Sequence, residues 1–220
     1  GPALRRHRPV AGGVSREETF MAALVSSILR YCQWMLPGMA AALILYVCLV
    51  PWRSRRLFSL GLRSSSLREG AQLLLWLFAG GLAVLTLCPE PRWLWLGLRY
   101  GEWSPFFGGW AFPLRYRVNL IPFSQGDSLF NLFGNVIMFL PFGFFAGLLW
   151  RGWTWLRVAC LGFGLTLGIE CWQIVAGRFF DVDDLILNTL GVLAGYGLYR
   201  LLRLAVPGFT ARFQVAEAAI

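Results

Sequence analysis

From residue 34 to residue 202 the chain alternates long apolar runs with short polar segments, and the runs are apolar on every side rather than on one face. Five of them reach or approach the roughly 20 residues a helix needs to cross the hydrocarbon of a bilayer. They are 34–50, 71–88, 129–150, 156–176 and 185–202. The pattern predicts an all-α fold, a polytopic membrane bundle of about five helices with a long loop, 89–128, before the third. Residues 20–33 also read as helix, either extending the first span or lying along the interface with Arg30 snorkelling. Within the long loop, WLWLGL (93–98) is too short to span and is expected at the interface. The resulting division is a polar leader (1–33), a first span (34–50), a membrane domain (71–203) and a tail (204–220). Gly143/Gly147, Gly164/Gly168 and Gly191/Gly195 repeat four apart, a spacing that either lets helix backbones approach closely in lipid or reflects only how common glycine is in spanning helices.

Composition agrees with the pattern and narrows the chemistry. The chain is 57% hydrophobic and 14% charged, and its 11 Trp and 6 Tyr cluster near the ends of apolar runs, as in the aromatic belts of membrane proteins. All 20 basic side chains are arginine, which excludes a Schiff-base lysine. The single histidine, His7, lies in the leader, so histidine acid–base work and histidine–metal ligation are almost excluded. Cys32, Cys48, Cys88, Cys160 and Cys171 show no paired spacing and read as small core hydrophobes. The net charge of +9 is spread over loops between spans, which suits anionic lipid head groups better than nucleic acid.

Five spans put the N-terminus, loop 89–128 and loop 177–184 on one side, and loop 51–70, loop 151–155 and the C-terminus on the other. Each side carries ten arginines, but the second packs five into 51–70 and more beside helix ends. Orientation is decided at such positions, so that side is expected to be cytoplasmic.

The same parity gathers the polar residues. Asn119 and Pro122 precede the third span, and Asn131 and Asn135 lie in its first two turns. Glu170 and Gln173 close the fourth, Arg178, Asp181, Asp183 and Asp184 follow it, and Asn188 lies one turn into the fifth. All are predicted to meet at one membrane face, turned away from lipid, where unpaired polar groups are costly. A plainer alternative is that the aspartates cap the last helix and Arg178 pairs with one of them. Pro141, inside the third span, fits either a kink beside a cavity or a tolerated proline.

The runs VNLIPF (118–123) and NLFGNVIMFLPFG (131–143), Glu170 with Gln173, and RFFDVDDLILNTLGVLAG (178–195) together resemble the VanZ-like family. The resemblance covers about 71–203 and sets the first span and leader ahead of it. It implies a multi-pass protein of the bacterial cytoplasmic (inner) membrane. The family's founding member is linked to low-level resistance to teicoplanin, a glycopeptide acting on cell-wall precursors. Family positions carried over are Asn119, Pro122, Asn135, Pro141, Gly143, Glu170, Gln173, Arg178, Asp181, Asp184, Asn188 and Gly191.

Three functions stay open. One is an extracytoplasmic polar pocket that binds the head group of a lipid or lipid-linked cell-envelope precursor and so lowers glycopeptide susceptibility. Arg178 would grip phosphate, and Asn119, Asn135, Gln173, Asp181 and Asn188 would surround the rest. A second is an enzyme hydrolysing or transferring a lipid head group through Glu170 and Asp184. Asp181, Asp183 and Asp184 would then offer oxygen ligands to Mg²⁺ or Ca²⁺, a weak signal. The third is a structural subunit of an envelope complex. No cofactor beyond that metal and no nucleic-acid partner is expected.

Overall fold

A computed structural model describes residues 16–88, 91–101, 118–124, 129–176 and 178–217. The chain divides between Gln33 and Trp34 into two compact units. Among the described residues there are seven helices: α1 (Arg16–Ser59), α2 (Ser66–Leu87), α3 (Pro91–Tyr100), α4 (Leu129–Leu149), α5 (Trp155–Val175), α6 (Val182–Ala205) and α7 (Pro207–Ala211). Five helices contain stretches long and apolar enough to cross a membrane, namely Leu24–Ser59, Ser66–Leu87, Leu132–Leu149, Trp155–Val175 and Val182–Ala205. The expected five-span bundle is therefore present. WLWLGL forms most of α3, ten residues long and too short to span. Much of the rest of loop 89–128 lies outside the described residues.

Residues 20–33 are helical and belong to α1, as the first of the two sequence readings expected. Pro37 and Pro51 lie inside α1 and Pro141 inside α4, and neither helix ends at them.

The spans α2, α4, α5 and α6 run alternately up and down, which defines two ends of the bundle. At one end, Ser65 caps α2 and its hydroxyl donates to the Arg212 carbonyl at 2.7 Å, and Arg68 donates to the Leu149 carbonyl at 3.4 Å. There a short antiparallel pair joins β1 (Leu62–Arg63) to β4 (Ala216–Glu217). This end carries the five arginines packed into 51–70 and is called the arginine-rich end. At the other, β2 (Val118–Asn119) pairs in parallel with β3 (Phe180–Asp181), in the register Val118 to Phe180 and Asn119 to Asp181. This is the motif end.

Between the ends, glycine determines how close α4 and α6 come. A Cβ on Gly143 would collide with the Val192 carbonyl oxygen, on Gly191 with that of Val136, and on Gly195 with that of Leu140. Gly147 seats the ring of Tyr199. Two of the three glycine pairs thus act as their spacing implies. The third does not: a Cβ on Gly164 or Gly168 would meet nothing within 4 Å, because both face away from the bundle. Contact between α5 and α6 goes instead through Gly162, where a Cβ would lie 3.1 Å from Val192 Cβ. Gly38 of α1 and Gly80 of α2 make a further close approach.

Phe139, Leu148, Val158, Ile169, Val192 and Tyr196 are buried between these helices. The outer surface is equally apolar, with Ile137, Leu156, Leu201 and Leu204 all exposed. A surface that apolar is stable in lipid rather than in water.

Candidate polar site at the motif end

The site is organised by Asp181. It is the N-cap of α6, accepting the Asp183 backbone N–H at 3.0 Å. The same oxygen accepts the side-chain amide of Asn119 at 3.1 Å, which ties β2 to β3. Its own backbone N–H donates to Glu170 at 3.0 Å, so the last turns of α5 and the first of α6 are joined through one residue. Glu170 is 1% exposed, facing the bundle interior.

Around this knot each remaining polar residue has its own partner. Asp183 accepts the Phe123 N–H on both carboxylate oxygens, at 2.8 and 3.0 Å. Phe123 has φ +55°, a left-handed conformation unfavourable for an aromatic residue, and the paired carboxylate holds it there. Asn119 folds the same turn from its other end, accepting from Ile121 N–H and Ser124 Oγ at 3.2 Å each. Asn135 donates to Asp184, linking α4 to α6. Deeper in the bundle, Asn188 donates to the Thr166 hydroxyl at 2.8 Å, while its buried Oδ1 has no partner among the described residues.

Gln173 and Arg178 serve a different element. Gln173 donates to the Thr86 carbonyl at 3.0 Å, and Trp172 to that of Leu87 at 2.6 Å. The Arg178 Nη1 donates to the carbonyls of Thr86 at 3.0 Å and Leu85 at 3.3 Å. These three side chains cover the C-terminus of α2, where orphan carbonyls and the helix dipole favour donors and positive charge. Burial pushes the neighbouring Cys88 thiol up from its usual pKa, and the Arg178 charge opposes this.

The sequence model of the VanZ/LLP1 family matches residues 41–203. The chain belongs to the VanZ-like family. The match begins inside the apolar run at 34–50, which sequence reading set ahead of the family region. No curated protein and no solved structure matches this VanZ-like chain.

The VanZ-like motifs therefore come together, but not into one undivided cluster. Asn119, Asp181 and Glu170 form the central knot; Asp183 and Phe123, and Asn135 and Asp184, flank it. Gln173 and Arg178 sit on α2, and Asn188 lies below on Thr166. Asn131 belongs to the first turn of α4, and its side chain is outside the described residues. The plain capping alternative holds for Asp181. Its other half does not, since among the described residues the one ion pair is Arg53 with Glu69, and Arg178 pairs with no aspartate.

The carboxylates considered for metal binding part company. Asp181, Asp183 and Asp184 accept hydrogen bonds from three different elements, and among the described residues no group of three His, Cys, Asp or Glu is arranged to hold a metal ion. Glu170 and Asp184, considered for acid–base work, likewise meet different donors.

Sequence reading missed Thr166 and the carbonyls ending α2. Thr166 had a signal: it stands four residues before Glu170 on the same face of α5. The carbonyls had none, because any residue type supplies one.

Proposed function

We propose that this VanZ-like protein binds the phosphate-bearing head of a membrane amphiphile, a phospholipid or lipid-linked envelope precursor, at the motif end. The observation that carries the reading is the state of Arg178. Its Nη1 is committed to carbonyls at the end of α2, while among the described residues its Nε and Nη2 have no hydrogen-bond partner and its charge is in no ion pair, acting on Glu170 only at longer range. A half-buried guanidinium with donors to spare at a bilayer surface suits bidentate capture of phosphate. Leu120, Ile121 and Phe123 are exposed on the turn held by Asn119 and Asp183, Ile121 by 69%. They offer apolar cover for the part of an amphiphile that follows its head. The buried lone acceptor of Asn188 adds a polar group near the site.

With the arginine-rich end cytoplasmic, as the positive-inside rule has it, the motif end faces outward. Holding an envelope precursor there would change what a glycopeptide antibiotic meets. Native mass spectrometry of the purified full chain tests the reading. Retention of an anionic lipid should fall by about tenfold or more in Arg178→Ala, the loss of a charge-assisted bidentate contact, and less in Arg178→Lys. Equal retention in all three proteins would overturn it.

A further inference from the structure

At the arginine-rich end, between the turn that follows α4 and the corner from α6 to α7, lies a cavity of about 430 Å³. Trp150, Arg151 and Trp153 line it from the turn, Tyr199 and Arg203 from α6, and Gln214 from beyond α7. We propose that this cavity is a second, separate binding site for a phosphate group, carried by an anionic phospholipid head or free in solution.

The cavity has the charge such a ligand needs. Among the described residues Arg151 and Arg203 have no carboxylate partner, since the one ion pair lies elsewhere. Ten arginines of the sequence fall at this end, against Glu69 and Glu217. Two guanidiniums lining one cavity with no ion-pair partner among the described residues focus a positive potential on the space they enclose.

The cavity also has a built polar wall. Gly152, at φ +82°, turns the chain between α4 and α5, and Arg157 fixes that turn by donating to the Gly152 carbonyl at 2.7 Å. Tyr196 donates to the Trp153 carbonyl at 2.6 Å. Gln214 spends its amide N–H groups on the Leu148 and Gly147 carbonyls, and its buried Oε1 has no partner among the described residues. An acceptor left in that state is costly unless a ligand donates to it. A hydroxyl or ammonium beside a phosphate, or a protonated phosphate oxygen, would do so. Trp150 and Trp153 give the mouth the amphipathic rings that settle at head-group depth. The volume falls in the range of about 300–1,000 Å³ usual for small-molecule sites.

The test uses the full chain in detergent carrying Arg178→Gln, so that the motif end does not contribute. Calorimetric titration compares dihexanoyl phosphatidylglycerol with dihexanoylglycerol, which lacks the phosphate. The phosphate-bearing lipid should bind saturably and the other at least about tenfold more weakly. Arg151→Gln and Arg203→Gln should each cost about tenfold, as for one lost charge-assisted hydrogen bond, and the lysine variants less. Both arginines are exposed, so these variants should fold. Competition by inorganic phosphate would assign the site to the bare anion. Failure to compete, with the lipid still bound, would assign it to the lipid head. Equal binding of the two lipids, or unchanged binding in the Arg151→Gln, Arg203→Gln double variant, would overturn the proposal.

Discussion

Glu170 accepts the backbone N–H of Asp181 at 3.0 Å, so a carboxylate near the end of one spanning helix holds the cap of the next. That bond, with Asn119 on the Asp181 side chain, fixes the short link between α5 and α6 and sets where Arg178 stands within it.

Removing the acceptor should therefore cost stability. Glu170→Ala leaves the Asp181 N–H without a partner in a site shielded from water, a loss of about 1–3 kcal/mol, whereas Glu170→Gln keeps an acceptor oxygen and should stay near wild type. Thermal unfolding in detergent distinguishes them. Equal destabilisation by both would mean that the charge, not the bond, is what matters.

The cap itself is the next test. Asp181→Ala removes the acceptor for both Asp183 and Asn119 and should destabilise by about 1–2 kcal/mol, while Asp181→Ser should recover part of the loss because serine also caps. Thermal unfolding, with proteolysis between 118 and 124 as a local readout, checks both. The turn should become more cleavable in the alanine variant.

Close packing between α4 and α6 predicts a sharp contrast between glycines. Gly143→Ala forces a methyl against the Val192 carbonyl and should cost about 1–3 kcal/mol. Gly164→Ala, on an open face, should be neutral or slightly stabilising, since alanine is the better helix former. Unfolding midpoints that fail to separate these variants would contradict the packing described.

This contrast also shows what was legible in the sequence. Runs of apolar residues carry the number of spans, because a helix in hydrocarbon must be apolar on every side. Parity then places Asn119, Glu170, Asp181 and Asn188 at one end without knowledge of any contact. Glycine spacing reports which residues share a helix face, but not whether that face meets a helix or lipid. Hence the spacing marks a helix contact at Gly143 and Gly191, while at Gly164 the plainer reading, a glycine common in spans, holds. The pairing of β2 with β3 has no sequence signal, since two residues per strand show no alternation. Arg178 was legible as a cation beside acids, yet its partners are backbone carbonyls, which sequence does not mark.

The orientation proposed from arginine placement is open to direct labelling. In a cysteine-free background, Ser124→Cys at the motif end should react with an impermeant maleimide applied outside intact cells. Ser59→Cys, at the arginine-rich end, should react only after permeabilisation. The reverse pattern would turn the motif end toward the cytoplasm.

The most direct measurement is a high-resolution electron cryo-microscopy map of the full chain in a nanodisc containing anionic lipid, read at Arg178. A lipid phosphate is expected about 3 Å from Nε or Nη2. A map in which a protein acceptor occupies those two nitrogens and no lipid head lies beside them would contradict it.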